Sequence, residues 1–217
     1  MTETLSTTST TAASITMSHA QLTSIASLAA CASTELTMPI ISGIHLNANP
    51  GLITATATDR YVAAWCEFFS DSITAEFSVT IPVKELKQFV TMSKLTGRFN
   101  TDVERITITV SDTTITFSDL NTGSTLTTTA INGTYPPLAR LFPEVTDAPA
   151  TITPYGINPA LLATVAKINV LGEKAPSWVV QHTEPALGKT APVMFHVTVG
   201  TRAIFRVLVQ PRMHTTR

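Results

Sequence analysis

Residues 75–94, AEFSVTIPVKELKQFVTMSK, contain the transition from strand to helix on which the fold depends. The alternating segment AEFSVTI is typical of a β-strand, and Pro82 stands where the first turn of a helix begins. In the segment KELKQFVTMSK, Leu86, Phe89 and Val90 fall on one face of a helix, at the spacing expected of core residues. A short strand is therefore predicted to lead directly into an amphipathic helix.

Three strand-like segments follow this helix and complete a βαβββ unit over residues 75–131. They are ERITITVS (104–111), TTITFSDL (113–120) and STLTTTAI (124–131). The same order of elements precedes this unit over residues 14–70 and follows it over residues 150–213. A period of about sixty residues indicates an internal repeat. The sequence therefore predicts an α+β fold built from repeated βαβββ units.

The first and third units carry clear signals for the start of a helix. Ser18 is the expected N-cap of a helix over residues 19–33, after the strand SITM. Asn158 and Pro159 are the expected N-cap and first residue of the third helix, which Gly172 ends. The strand candidates of these two units are PIISGIHLNA (39–48), GLITATAT (51–58), RYVAAWCEFF (60–69), TITPYG (151–156), SWVVQHT (177–183), APVMFHVTV (191–199) and AIFRVLVQ (203–210).

Two segments lie outside the repeats. Residues 1–13 are a Thr/Ser-rich tail that is predicted to be disordered, and the Pro-rich residues 132–149 are predicted to be a connector between domains. We therefore expect one domain of two units over residues 14–131 and a third unit, half of a second domain, over residues 150–217.

The composition excludes several classes of protein. The chain has 217 residues, and its 14 Lys and Arg against 15 Asp and Glu give a net charge of −1. This balance argues against a tight, sequence-reading DNA-binding protein but leaves loose or enclosing contact with DNA open. Cys31 and Cys66 lie far apart, so neither a disulfide framework nor a zinc site is expected. Without a signal peptide or an apolar run long enough for a bilayer, the chain is expected to be cytoplasmic and not to contact membranes.

Catalytic motifs are scarce. The sequence has no GxSxG, Walker, GxGxxG or HExxH motif, so we expect no enzyme activity, cofactor or metal. His45 and His196 lie within strand patterns, where a hydrogen-bonded structural histidine is the more common role. Asp59 and Arg60 are adjacent, and the simplest interpretation is an ion pair that stabilises a turn.

A lysine stripe runs along the second helix. Lys84, Lys87, Thr91 and Lys94 share the face opposite to the core residues. Such a stripe is usually an ordinary solvated surface, and the alternative is diffuse contact with phosphate groups. Lys167 in the third helix and Lys174 beyond its end are the further candidates for DNA contact.

Four segments of the chain resemble the bacterial replicative sliding clamp, the beta subunit of DNA polymerase III. They are GLITATATDRYVAA (51–64), TIPVKELKQFV (80–90), NGTYPPLARLFPE (132–144) and VLVQPRM (207–213), in the order in which the family carries them. The resemblance implies a DNA-clamp fold, with antiparallel sheets outside and helices on the inner face. Family members have six βαβββ units per chain, whereas this chain has three, a compact size compatible with a phage-encoded clamp.

The three units of this chain resemble those that form the partner-binding cleft in the family. There, polymerases, the clamp loader and repair proteins insert a short linear motif. Carried over by resemblance, the cleft would be lined by Thr58, Arg60, Tyr61, Val62, Ala63, Pro136, Arg140, Leu141, Leu208, Gln210 and Pro211. Gln210 stands where family members commonly carry Met, which is a departure from the family pattern.

The resemblance also implies a function and an assembly. Family rings close with twelve units, so four copies of a three-unit chain would close a ring of dihedral symmetry, and a trimer is the alternative if the third unit forms a full domain. The expected function is a processivity factor that encircles duplex DNA and tethers a DNA polymerase and the clamp loader. The alternative is a mimic that keeps the cleft without the ring and sequesters clamp-binding proteins or caps a full-length clamp. A β-rich structural domain whose resemblance is coincidental is the third possibility.

Overall fold

The structure, a computed structural model, describes residues 12–35, 37–94, 103–145, 156–182 and 191–211. Its strands and helices are β1 (Ala13–Ser18), α1 (His19–Ser27), β2 (Gly43–Asn49), β3 (Leu52–Thr58), β4 (Val62–Phe69), β5 (Phe77–Pro82), α2 (Val83–Lys94), β6 (Glu104–Ser111), β7 (Thr114–Asp119), β8 (Thr125–Thr129), α3 (Pro159–Val165), β9 (Val179–His182), β10 (Val193–Val199) and β11 (Ala203–Val209). The α+β class predicted from the sequence is confirmed. We call β1 to β4 with α1 the first unit, β5 to β8 with α2 the second, and α3 with β9 to β11 the third.

The first two units exchange their first strands. β5 of the second unit pairs antiparallel with β2 of the first, in a register that joins Gly43 to Pro82. β1 of the first unit pairs antiparallel with β6 of the second, where Ile15 faces Ile108. Each set of three consecutive strands therefore receives its fourth strand from the other unit.

The third unit extends the sheet of the first. β11 pairs antiparallel with β4 over seven residues, from Ala203 opposite Phe68 to Val209 opposite Val62. The resulting sheet has seven strands in the order β5-β2-β3-β4-β11-β10-β9, and the other sheet has four in the order β1-β6-β7-β8. The main-chain ladder thus runs without a break from the first unit into the third.

One apolar core joins both sheets to the helices. Helices α1 and α2 pack on each other and contribute Leu22 and Phe89, which have no exposed surface. The ring of Phe89 stacks on Phe117 of β7 at a centroid distance of 5.3 Å. Because buried residues of both helices and of both sheets belong to one continuous cluster, the exchanged pair of units forms a single core.

Ser18 is the N-cap of α1, as predicted. Its Oγ accepts a hydrogen bond from the Gln21 N–H at 3.2 Å, and its own N–H donates to Gln21 Oε1 at 2.7 Å. This reciprocal capping box satisfies two backbone donors at the start of the helix. Asn158 caps α3 with a single side-chain hydrogen bond, since its Oδ1 accepts from the Ala160 N–H at 3.0 Å.

The structure corrects three element boundaries. Helix α1 ends at Ser27 and continues as a 3-10 turn only over Leu28–Ala30, short of the predicted residue 33. Residues Pro39–Ser42 form a 3-10 turn and not the start of a strand, because Pro39 cannot donate to a ladder. Helix α3 ends at Val165 and not at Gly172.

Other predicted segments lie partly outside the described residues. These are residues 1–11 of the predicted tail, residues 151–155 of the strand TITPYG, residues 146–149 of the connector and the C-terminal residues 212–217. Ala13, which was assigned to the tail, is the first residue of β1.

Candidate functional site

The turn between β3 and β4 is built by two side chains. The Asp59 carboxylate accepts hydrogen bonds from the N–H groups of Tyr61 and Val62, both at 2.8 Å. Thr58 Oγ1 donates to the Val62 carbonyl at 2.8 Å and accepts from the Arg60 N–H at 3.0 Å. Arg60 has a φ of +81°, a left-handed conformation that costs free energy in any residue other than glycine. The network holds this conformation and leaves the Tyr61 side chain 64% exposed.

Arg60 forms its ion pair with a different partner from the one predicted. Its Nη2 lies 2.8 Å and 2.7 Å from the two carboxylate oxygens of Glu35. The predicted pair between Asp59 and Arg60 is wrong because backbone N–H groups occupy the Asp59 carboxylate. Both partners of the Arg60–Glu35 pair are about half exposed, at 48% and 52%, so the pair orients the guanidinium more than it stabilises the fold.

The connector predicted between domains packs as a second apolar cluster. Tyr135, Leu138 and Phe142 are buried against residues of β4, β10 and β11. The Tyr135 ring stacks on His45 at a centroid distance of 4.4 Å, and burial raises the pKa of its hydroxyl to about 12. A 3-10 turn over Leu138–Leu141 follows. The described part of the connector is therefore packed on the sheet beside the turn at Tyr61.

A cavity of about 510 Å³ lies between these segments. It is lined by Met38, Ile40, Ile41, Thr58, Arg60, Tyr61, Val62, Ala63, Pro136, Leu138, Leu141, Pro192, Leu208 and Gln210. We call this cavity the cleft. Its lining is mostly apolar, with Arg60 and Gln210 as polar groups at its boundary. The Gln210 N–H donates to the Tyr61 carbonyl at 3.0 Å and so ties the end of β11 to the turn.

The cleft contains nine of the eleven predicted cleft residues. The two that do not line it are Arg140, which is exposed on the 3-10 turn, and Pro211, which is buried. The sequence analysis missed Met38, Ile40, Ile41, Leu138 and Pro192. The apolar residues beside Pro39 were assigned to a strand, and the Pro39 ring itself was the signal for a turn.

The predicted DNA-contacting lysines are all exposed but do not share one helix. Lys84, Lys87 and Lys94 lie on the exposed face of α2, opposite to its buried residues. Lys167 lies two residues beyond the end of α3, which corrects its assignment to that helix, and Lys174 lies further on. Helix α1 contains no Lys or Arg. The role of these lysines stays a prediction.

The two cysteines and the possibility of a metal site are the remaining candidates for chemical function in the part of the chain that the structure describes. Cys31 and Cys66 are buried free thiols, and burial raises the pKa of both, that of Cys31 to about 12. Within the described ranges, no three His, Cys, Asp or Glu side chains come together as a metal site. None of the helices in those ranges is long and apolar enough to span a bilayer.

Solved structures with the same fold define the class of protein. The beta subunit of Streptococcus pyogenes DNA polymerase matches 97% of this chain at 20% identity with a TM-score of 0.51. The beta clamp of Helicobacter pylori, solved with diflunisal, matches 93% at 12% identity with a TM-score of 0.70, and the Pseudomonas aeruginosa beta subunit matches 99% at 15% identity with a TM-score of 0.53. The fold is therefore that of the bacterial beta clamps.

A match at the level of sequence then identifies the family. Residues 17–137 match the family described as "DNA polymerase III beta subunit, central domain". This chain belongs to the DNA polymerase III beta subunit family. It spans about half to two thirds of the three solved relatives, with 52%, 66% and 55% of their lengths covered. No curated protein matches the sequence.

Proposed function

We propose that this chain is a non-enzymatic processivity factor that assembles into a ring around duplex DNA and holds partner proteins through the cleft. The observation that carries the proposal is the convergence of three distant segments on one apolar cleft. These are the turn at Thr58–Val62, the connector at residues 136–141 and the end of β11 at residues 208–210. The packed connector and the Gln210–Tyr61 hydrogen bond hold the three segments together.

The chemistry of the cleft suits a short peptide with apolar anchors. A cavity of about 510 Å³ accommodates a few side chains. Tyr61 and Leu141, which are 64% and 52% exposed, provide apolar surface that a bound peptide would cover. Arg60 and Gln210 offer hydrogen bonds at the boundary. A few such anchors give modest affinity, which several copies in a ring would increase by avidity.

Fluorescence anisotropy with a labelled linear-motif peptide from a bacterial replicative polymerase tests the cleft. We expect Tyr61→Ser and Leu141→Ser each to weaken binding by about tenfold, because each removes an apolar anchor. Phe69→Ser is the matched control, since Phe69 is also exposed but does not line the cleft. Unchanged affinity in both cleft variants would contradict the assignment.

The lysines of α2 suit contact with DNA that does not depend on sequence. Lys84, Lys87 and Lys94 are exposed point charges on one helix face, and such groups bind phosphate without reading bases. We expect the triple replacement by Ala to shorten retention on circular DNA and to lower its salt dependence. Arg202→Ala, at the exposed turn between β10 and β11, is the control. Equal retention by the triple variant and the wild type would count against the lysine face.

The absence of Lys and Arg from α1 favours the clamp mimic as the second candidate. A mimic binds the peptide but forms no ring, so it would not be retained on circular DNA. Retention that disappears when the circle is cut would support the ring, since a ring slides off a free end. Peptide binding without any retention would support the mimic.

A further inference from the structure

The boundary of the cleft carries a positive charge. Among the described residues that line the cleft, Arg60 is the one with a charged side chain. The turn fixes its backbone, since the Arg60 N–H donates to Thr58 Oγ1 at 3.0 Å and its φ is +81°. A cation beside an apolar cavity would by itself favour peptides that carry a carboxylate. The charge preference of the cleft therefore depends on what the guanidinium contacts.

Glu35 is that contact, and its main chain is tied to the wall of the cleft. The Glu35 N–H donates to Ser33 Oγ at 3.1 Å. The N–H of Ser33, a residue that is 7% exposed, donates to the carbonyl of the cleft residue Ile41 at 3.0 Å. Glu35 itself does not line the cleft, whereas Met38 and Ile40 in the same segment do. Its carboxylate is therefore presented to Arg60 from behind the lining.

The geometry of the pair leaves part of the guanidinium available to a ligand. Both carboxylate oxygens of Glu35 lie against the same nitrogen, Arg60 Nη2, at 2.8 Å and 2.7 Å. The N–H groups on Nη1 and Nε are not used by this contact. Arg60 therefore keeps hydrogen-bond donors for a peptide oxygen, while the carboxylate of Glu35 cancels its charge.

We propose that Glu35 is a positioning residue that sets the specificity of the cleft, because it neutralises Arg60 and so gives a peptide carboxylate no advantage over an uncharged oxygen. A main-chain carbonyl or an amide side chain of the peptide accepts the remaining N–H groups of Arg60. An acidic side chain at the same place meets the guanidinium and the Glu35 carboxylate together, so attraction and repulsion largely cancel.

This inference rests on the proposed function, since it names the chemistry of the peptide that the cleft binds. Two other charged residues belong to the segments around the cleft. The Asp59 carboxylate accepts hydrogen bonds from the N–H groups of Tyr61 and Val62, and Arg140 is exposed on the connector. Neither Asp59 nor Arg140 lines the cleft. The Arg60–Glu35 pair is therefore expected to set its charge preference.

Fluorescence anisotropy with matched peptides tests the inference. Each pair is the labelled polymerase peptide in two versions, one with Asn and one with Asp at a position that flanks an apolar anchor. A pair is made for each such position, so that one of them reaches Arg60. We expect the wild type to bind the two versions of that pair within about twofold of each other, because the boundary is neutral.

The two single variants should shift the ratio of the two affinities in opposite directions. Glu35→Gln keeps an oxygen for Arg60 Nη2 but removes the negative charge, so the Asp version should bind about threefold more tightly than the Asn version. Arg60→Gln leaves the Glu35 charge without its partner, so the Asp version should bind about threefold more weakly. Both versions should bind the double variant equally. A purely structural change would weaken both versions alike and would not reverse its sign.

Glu76→Gln is the matched control, since it removes the same charge from an exposed position. Glu76 precedes Phe77, which pairs with Ala48 near the end of β2 that is remote from the cleft. Its ratio should equal that of the wild type. A ratio in Glu35→Gln equal to the wild-type ratio for every pair would overturn the inference. An Asp preference that persists in the double variant would also overturn it, with Arg140 as the candidate cation.

Binding by the wild type separates this inference from the proposed function. If the wild type binds both versions and Glu35→Gln leaves their ratio unchanged, the role of Glu35 is contradicted and the cleft stands. A wild type that binds neither version contradicts the cleft and, with it, the inference. Added salt should reduce the Asp preference of Glu35→Gln, because that preference is electrostatic. A preference that does not depend on salt would contradict the role of charge.

Discussion

The first two units and the third unit all contain a helix followed by three strands, but they differ in how far the first of those three strands is buried. In the first two, exchanged strands bury Ile44 and Ile108 completely. In the third, Val179 and Val180 remain half exposed at the corresponding strand. The difference teaches that the strand each of the first two units receives from the other is what covers its apolar edge. Substitutions in the first two units and in the third unit can test this comparison.

The largest effect is expected in the first two units. Phe117→Ala removes a fully buried ring that stacks on Phe89, and we expect a loss of about 3–5 kcal/mol in the free energy of unfolding. Leu162→Ala is the comparison in the third unit, where the side chain is 41% exposed and we expect a loss of less than about 1 kcal/mol. Urea unfolding measures both. Equal losses would contradict the difference between the units.

Gly43→Ala attacks the strand exchange directly. A Cβ at this position would lie 2.6 Å from Thr80 Cγ2, 2.7 Å from Ile131 Cδ1 and 2.8 Å from the Ile81 carbonyl oxygen. We expect a loss of about 1–3 kcal/mol, because overpacking forces the paired strands β2 and β5 apart. Amide exchange should therefore accelerate in β5. Gly51→Ala, with no atom within 4 Å of its Cβ, strains only its own turn and should leave β5 protected.

Substitution of the two N-cap residues compares the first unit with the third. Ser18→Ala and Asn158→Ala each remove a side-chain acceptor from a helix N-terminus, which costs about 1 kcal/mol. We expect Ser18→Ala to lower the global unfolding free energy, since α1 lies in the shared core. Asn158→Ala should instead increase amide exchange mainly around α3. The reverse pattern would indicate that the third unit is the more tightly integrated of the two.

The smallest effect is a pH dependence of stability that comes from the first two units. His45 bridges β2 to β5 through Thr80 and Ser78, and burial lowers its pKa below 6.5. The unfolded state therefore binds the proton more readily, so stability is complete above this pH and decreases as the pH falls below it. Urea unfolding between about pH 7.5 and 5 measures the decrease, which His45→Gln should reduce. A rise in stability toward low pH would contradict this sign.

Burial also lowers the pKa of His19, with Arg105 as the next cause. A dependence on pH should therefore persist in His45→Gln, with the same sign and a smaller size.

Sequence periodicity was sufficient to predict the strands and helices, but not to predict which strands pair with each other. The alternation in segments such as 104–111 and the caps at Ser18 and Asn158 depend on residues close in the chain, and these predictions are confirmed. Nothing in the alternation of β1 or β5 specifies which strand it pairs with, so the exchange could not be predicted. The predicted ends of α1 and α3 were wrong because the apolar residues that follow both helices lie in loops that pack on the core.

The cleft could be predicted only in part. The residues carried over by resemblance came from three segments, and nine of them line one cavity in the structure. The described part of the connector is packed, because Tyr135, Leu138 and Phe142 are apolar and contact residues more than fifty positions away in sequence. Met38 and Pro192 were missed because long-range packing, not local pattern, brings them to the cleft.

The ladder between β4 and β11 has a consequence for how this chain can evolve. Its hydrogen bonds join main-chain atoms, and the cross-strand pair Ile204–Glu67 lies on its half-exposed face, whereas the Trp65 ring on that face packs on Phe142 at a centroid distance of 5.6 Å. Substitutions at Ile204 and Glu67 leave the main-chain donors and acceptors in place. The junction of the first and third units therefore tolerates sequence drift on one face. That surface can diverge between descendants of one ancestor while the joint beneath it stays intact.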